Sequence, residues 1–319
     1  MTHSFALISV VIPVYRSGDV LPELTSRLIK AFNLLKKPCE IILVEDCGGD
    51  DSWEVIRRLS EENGRIRGYR MSRNYGQHNA ILCGVRVAEG DVVVTLDDDL
   101  QHPPEEVPKL VSKLEDGHDV VYGPPASQRH GVMRDIASVI TKRALGKLMG
   151  ADNAKNVCAF RAFRTELRRG FEDYRNPSVN IDVLLAWTTV RFASVTVRHE
   201  ERKHGVSGYT FSKLFNHAAT MFTGFSVLPL RFAVFLGIVF SAFGFCAGVY
   251  AVVAWLVYGS VVPGFTFLAT ITSVCAGAQL LTIGLLGEYV GRIFARTMDQ
   301  TQYLVREEAG SASQESNAK

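Results

Sequence analysis

The sequence predicts an α/β protein: a mostly parallel sheet covered by helices, followed by a C-terminal third built for a membrane. Three observations carry this. Short apolar, β-branched runs alternate with helical patterns up to Tyr122. Polar clusters follow the ends of those runs. From Phe232 to Gly287 there is no Asp, Glu, Lys or Arg.

Ser9–Val14, Glu40–Val44, Arg67–Met71, Val92–Leu96 and Val120–Tyr122 read as buried parallel strands. Leu21–Leu35, Ser52–Glu62, Asn79–Ala88 and Glu105–Leu114 read as helices, with Pro104 at the start of the last. Repeated strand–helix units imply helices on both faces of one sheet. Its strands share a carboxyl edge, where such sheets bind ligands. Four polar tips meet there: 15–19 (YRSGD), 45–51 (EDCGGDD), 72–78 (SRNYGQH) and 97–101 (DDDLQ).

Residues 123–150 are basic and carry Gly and Pro. A further α+β region runs to about His199. Next, Phe211, Leu214, Phe215, Ala218, Phe222 and Phe225 recur at helical spacing, with Lys213 and His217 among them. That pattern suits a helix lying in a membrane interface over 209–230. The uncharged run has room for two spans at about 20 residues each. It breaks at 258–264, giving spans near Phe232–Tyr258 and Phe265–Leu286. Arg231 precedes them and Arg292 and Arg296 follow, so both outer ends belong in the cytoplasm. Glu288 and Arg292 stand at helical pairing distance. The expected division is 1–208 for the α/β domain, 209–230 for the interfacial helix, 231–290 for the spans and 291–319 for a cytoplasmic tail. The tail is expected to be disordered from Glu307.

A net charge of +2 is too small to indicate nucleic acid as a partner. The six cysteines form no CxxC pair, as expected of buried thiols in a reducing compartment. The opening MTHSFALISVVIPVY lacks a basic start and is interrupted by Pro13, so it reads as a first strand rather than a signal peptide.

Asp97, Asp98 and Asp99 at one strand tip repel one another unless something compensates. Carboxylates without nearby His or Cys suit a hard cation, Mg²⁺ or Mn²⁺, and such ions bridge to phosphates. With arginines at the same edge, this is a candidate nucleotide-diphosphate site. No GxxxxGK[ST] and no strand-following GxGxxG is present, so neither a P-loop nor a dinucleotide fingerprint supports another reading.

The stretches VVIPVYRSGDVLPEL, LVEDCGGDDS, SRNYGQHNA, LDDDLQHPPEE, ERKHGVSGY and GAQLLTIGLLGEYVGRI run in order along nearly the whole chain. Together they resemble the membrane-anchored family 2 glycosyltransferases that use polyprenyl phosphates. These include dolichyl-phosphate mannose synthases, undecaprenyl-phosphate glucosyltransferases and the aminoarabinose (4-deoxy-4-formamido-L-arabinose) transferases. NYGQH and GLLGEYVGRI are most similar to the last branch. The resemblance implies a GT-A nucleotide-diphospho-sugar transferase domain at residues 1–208.

Carried over residue by residue, the resemblance makes Asp97, Asp99 and Gln101 catalytic. Asp97 faces nucleotide and sugar, and Asp99 with Gln101 holds the metal. The family usually has Asp-Ala-Asp-Leu-Gln, so Asp98 replaces a small residue and either touches the nucleotide or sits in solvent. Pro13, Tyr15, Glu45, Asp46, Arg73 and Gly76 match nucleotide-binding positions, with Glu45 standing for the family's Asp. Arg129, Arg134 and Lys142 match a mobile acceptor loop. Arg202, Ser207 and Tyr209 match its Arg-x-x-Gly-x-Ser-x-Tyr signature, with Gly208 where Lys is usual. All six are implied to bind the lipid phosphate. Sugar selectivity is expected near 156–161 and 180–182.

The implied reaction is inverting transfer of one sugar, UDP-linked, to undecaprenyl phosphate for envelope glycan modification. The implied setting is the cytoplasmic face of a bacterial inner membrane, in a homo-oligomer that by analogy is a tetramer. Two alternatives stay open: a GDP-mannose donor, or a non-catalytic scaffold or carrier-lipid binder with the same fold. A processive synthase is disfavoured because Gln-x-x-Arg-Trp is absent.

Overall fold

A computed structural model of the chain describes residues 5–125, 156–177, 179–200, 228–258, 264–298 and 300–310. The chain divides into two compact units, an α/β unit and a helical unit.

The α/β unit is built on an eight-stranded mixed sheet. The strands are β1 (Ile8–Val14), β2 (Cys39–Glu45), β3 (Ile66–Met71), β4 (Val92–Thr95), β5 (Val120–Tyr122), β6 (Arg161–Arg164), β7 (Phe192–Ser194) and β8 (Val305–Ala309). Their order is β7-β5-β6-β4-β1-β2-β3-β8. The core β4-β1-β2-β3 is parallel, whereas β6 and β8 run antiparallel to their neighbours. Five strands were legible in the sequence; β6 lies in the expected α+β region with β7, and β8 lies in the expected tail.

Helices α1 (Leu21–Leu35), α2 (Ser52–Glu62), α3 (Gln77–Val87), α4 (Val107–Glu115) and α5 (Ile181–Thr188) complete this unit. The α1 pattern is plain: Leu21, Leu24, Leu28 and Phe32 form one buried stripe. Each such side chain contributes about 1.5–3 kcal/mol on burial. α3 approaches β1 so closely that a Cβ on Gly84 would lie 2.3 Å from Val11 Cγ1. Glycine permits that contact. The helix expected from Glu105 begins as a 3₁₀ turn over Pro104–Glu106 before α4.

Proline is rare in a central strand because it cannot donate to the ladder. Pro13 is tolerated for a positional reason. Val11 accepts from Leu96 N–H, so alternation aims Pro13 toward β4 as well. The β1–β4 pairing stops at Val11↔Thr95, just short of Pro13. Beyond it the β1–β4 ladder ends, and residues 96–101 turn at the sheet edge. β4 accordingly ends one residue earlier than expected.

The tail does not become disordered at Glu307. Residues 305–309 pair with β3 in the register Arg70↔Glu307. Trp53 Nε1–H donates to Glu307 over 3.0 Å, Arg70 binds it at 2.9 Å, and Ser72 N–H donates to Leu304 O at 2.9 Å. VREEA has weak strand propensity alone, and edge pairing supplies what propensity lacks. Glu307→Ala is expected to lower stability by about 1–2 kcal/mol, measured by urea denaturation in detergent.

The helical unit holds α6 (Leu228–Tyr258) and α7 (Gly264–Thr297), which contain the two expected spans. α7 continues past the expected boundary at 290. Windows Phe232–Ala254 and Val274–Gly291 have mean hydropathies of 2.3 and 1.3, with 6% and 0% of their residues buried. Both helices are long and apolar enough to cross a membrane. Large side chains such as Phe235, Phe243, Leu280 and Phe294 face outward. Of the expected interfacial helix, residues 209–227 lie outside the described residues, as does any Glu288–Arg292 pairing.

Candidate active site

The parallel strands deliver four tips to one edge, as the alternation predicted. What the tips do with their acidic residues is less uniform than the sequence implied.

Glu45 and Asp46 end β2. Glu45 is 2% exposed. Its Oε1 accepts Gly48 N–H at 2.6 Å, and Oε2 lies 3.4 Å from Arg70 Nε, an ion pair without hydrogen-bond alignment. It therefore braces its own loop. Asp46 is also buried; it accepts Tyr75 N–H at 2.7 Å and Gly76 N–H at 2.8 Å. Burial raises its pKa, against the two N–H groups that favour the carboxylate. Its carboxylate holds the third tip. Gly76, with φ +92, supplies the left-handed backbone that this approach needs and starts α3. Pro13 is likewise buried inside β1. Tyr15, at the first tip, is 47% exposed. Arg73 is exposed, with its guanidinium 4.7 Å from the Tyr75 ring centre.

The three adjacent aspartates avoid one another by taking different partners. Asp97 Oδ1 accepts from Gln77 Nε2 at 2.6 Å. Asp98 Oδ2 accepts Tyr15 N–H at 3.0 Å and the Ser17 hydroxyl. Asp99 Oδ1 accepts Gln101 N–H at 3.1 Å. Between them and Gln101 stands Leu100, at φ +60, its side chain anchored in the core. Asp98 is half-buried like its neighbours, and burial raises its pKa, opposed by Ser17 and Tyr15. Asp97, Asp99 and Gln101 remain half-buried at the edge. These are hard oxygen donors, fitting a divalent cation that completes its shell with phosphate or water. Among the described residues, no three His, Cys, Asp or Glu side chains close a metal cage by themselves.

Immediately after this turn, His102 is buried against Phe160 and His199, at ring distances of 5.2 Å each. Its Nδ1 has no hydrogen-bond partner among the described residues. Burial, then His199, push its pKa down to about 4. An unfolded histidine titrates near 6.5, so the unfolded state binds more protons between these values. This contribution is full above about pH 6.5 and is lost as pH falls toward 4. Stability at pH 5 is expected to be roughly 2 kcal/mol below that at pH 7, and His102→Gln should remove most of the difference in urea melts.

Glu106, 2% exposed, binds Arg198 Nε at 2.9 Å. Glu200 N–H donates to Gln101 O at 2.9 Å, and Arg27 binds Glu105 at 2.8 Å and Glu200 at 3.4 Å. Residues 198–200 are thus tied to the aspartate turn. None of these ties was read in the sequence; the pairings join residues far apart in the chain.

Beneath the edge lies a buried polar floor. Arg161 pairs with Asp182, its Nε donates to Thr95 Oγ1 at 3.0 Å, and Tyr122 O–H donates to Asp182 at 2.9 Å. Arg161 and Asp182 are 2% and 6% exposed. They support the ends of β4 and β5. Asn180 Oδ1 caps α5 by accepting Val183 N–H at 3.0 Å. Arg129, Arg134, Lys142, Arg202, Ser207 and Tyr209 lie outside the described residues.

Comparison with known proteins agrees with this architecture. The sequence model described as Glycosyl transferase family 2 matches residues 9–171. An undecaprenyl-phosphate 4-deoxy-4-formamido-L-arabinose transferase of Yersinia enterocolitica is 37% identical over 318 residues, covering 97% of this chain and 96% of its own. Its namesake from Proteus mirabilis is 35% identical over 306 residues, covering 95% and 94%. Among solved structures, glucosyl-3-phosphoglycerate synthase from Mycobacterium tuberculosis, bound to Mn²⁺, UDP and glucosyl-3-phosphoglycerate, aligns with a TM-score of 0.50. That alignment has 17% identity and covers 68% of this chain and 78% of the synthase, a likeness of fold. The α/β unit has the GT-A fold. With likeness this extensive along the whole sequence, the chain belongs to glycosyl transferase family 2.

Proposed function

We propose that this glycosyltransferase moves one sugar from a nucleotide-diphosphate sugar, UDP-linked, to undecaprenyl phosphate, giving a lipid-linked monosaccharide for envelope glycan modification. The observation that carries the reading is the division of labour at the sheet edge. Glu45 and Asp46 are buried and hold loop N–H groups, Asp98 takes two donors from the first loop, and Asp97 and Asp99 stand half-buried with Gln101. Near-full-length likeness to two transferases named for undecaprenyl phosphate supports the acceptor.

The acceptor is a phosphate monoester, already anionic near neutral pH, so it needs no strong general base. Its oxygen attacks the anomeric carbon as the bond to the nucleoside diphosphate breaks. The diphosphate departs with the electron pair, and the anomeric centre inverts. The chain's task is to align donor and acceptor and to stabilise the departing charge. Asp97 orients nucleotide and sugar, held by Gln77. Tyr15 stacks on the base. Arg73, and the backbone at Gly76, approach ribose and phosphate. Mg²⁺ or Mn²⁺ held by Asp99 and Gln101 supplies Lewis-acid charge at the diphosphate when bound. Arg129, Arg134, Lys142, Arg202, Ser207 and Tyr209 are assigned to the lipid phosphate from the resemblance.

The two apolar helices anchor the enzyme where its acceptor resides. In this reading they lie in a bacterial inner membrane, with the catalytic unit and both termini cytoplasmic. By analogy with relatives, the assembly is a homo-oligomer, a tetramer.

Calorimetry on the detergent-purified protein, with UDP, GDP and their sugars in Mg²⁺ or Mn²⁺, tests the donor side. Metal-dependent UDP binding is expected. Preferred GDP binding would reassign the donor. Lipid-phosphate binding with no nucleotide binding would point to a carrier-lipid binder instead.

A further inference from the structure

We infer that Asp98 is a positioning residue, which shapes the donor site by clasping the first loop rather than by touching donor or metal. The inference rests on the donor reading above.

One oxygen of Asp98, Oδ2, receives two donors from that loop: Tyr15 N–H at 3.0 Å and the Ser17 hydroxyl. The loop is pinned at two further points. Ser17 N–H donates to Ser52 Oγ at 3.1 Å, and Arg16 Nε donates to Gly48 O at 2.8 Å. Arg16 adopts φ +58, a left-handed conformation that a non-glycine residue holds only when its surroundings impose it. Meanwhile the Tyr15 ring remains outward, with the Arg16 guanidinium 5.3 Å from its centre. Backbone fixed and ring free is the arrangement that presents a flat face to a planar base without ordering the loop at the moment of binding.

The location explains why Asp98 can do this. β1 and β4 part after Val11↔Thr95, and Asp98 spans the resulting gap. Its neighbours Asp97 and Asp99 take other partners. An alanine here leaves Tyr15 N–H and Ser17 without this acceptor. An asparagine retains it, because one amide oxygen can accept both donors.

The test uses the full chain in detergent, with hydrogen exchange at the Tyr15 amide and calorimetric titration of UDP in Mn²⁺. Asp98→Ala should speed Tyr15 exchange at least tenfold and weaken UDP about tenfold. Ser17→Ala should weaken UDP less, and the double variant should fall short of additivity. Asp98→Asn should restore slow Tyr15 exchange and most of the affinity. The Mn²⁺ concentration for half-maximal binding should stay constant across the series. Unchanged Tyr15 exchange in Asp98→Ala would overturn the clasp. So would an Asp98→Asn defect as deep as that of Asp98→Ala with a raised Mn²⁺ requirement, which would make the charge a metal or donor contact. If the wild type binds no nucleotide, the donor reading fails, and Tyr15 exchange still decides the clasp.

Discussion

Asp99→Ala is expected to reduce sugar transfer by roughly 10³-fold, or about 4 kcal/mol of transition-state stabilisation. Departure of a nucleoside diphosphate concentrates negative charge at the diphosphate oxygens. Removing the carboxylate assigned to the cation removes that compensation from the transition state. The fold should survive, because Asp99 sits on a half-buried turn outside the hydrophobic core. The check is kcat/KM over a Mn²⁺ series, with circular dichroism as the folding control. A rate within tenfold of wild type would remove Asp99 from the metal's coordination. Asp97→Ala should also lose transfer without a comparable change in metal requirement, since its proposed partner is the donor.

The largest stability effect is expected at Asp182. Asp182→Ala strands a fully buried guanidinium, that of Arg161, and takes away the acceptor of Tyr122 O–H. Breaking one side of such a pair costs about 3–5 kcal/mol. Urea denaturation in detergent should show a correspondingly lower midpoint. Arg161→Met combined with Asp182→Leu should recover most of the loss, because no buried charge is left unpaired. A shift below about 1 kcal/mol for Asp182→Ala would mean that the ion pair does not hold the floor. Recovery of stability without recovery of transfer would show that the floor also sets the geometry of the edge above it.

The legible parts of this protein are those that depend on local pattern. Ile8–Val14 and Cys39–Glu45 are fully buried runs, so parallel strands followed from composition alone. The charge-free stretch gave two helices, because length and hydropathy are sufficient there. β6 was harder to read: RAFR looks amphipathic, and Arg161 enters the core only because Asp182, far along the chain, neutralises it. β8 is polar by sequence and exists through the edge of β3.

The site shows the same limit. The adjacent carboxylates pointed to a hard cation, and the resemblance added Gln101; Asp97, Asp99 and Gln101 are all half-buried. Direction was not legible. The resemblance offers Glu45, Asp46 and Asp98 to the nucleotide. Their carboxylates also satisfy backbone N–H groups, Glu45 within its own tip at Gly48, Asp46 at Tyr75 and Gly76, and Asp98 at Tyr15. A loop rich in unpaired N–H groups needs acceptors, and nearby acidic residues supply them before any substrate arrives. Gln77 was visible within NYGQH but had no role until the fold set it against Asp97.

The most direct measurement follows radiolabel from UDP- and GDP-sugars into undecaprenyl phosphate, using detergent-purified protein with Mg²⁺, Mn²⁺ or chelator. Organic-extractable label that requires metal, and is lost in Asp99→Ala, is the predicted result. Metal-independent transfer, or none to lipid phosphate by a protein that transfers the same sugar to a soluble acceptor, would contradict it.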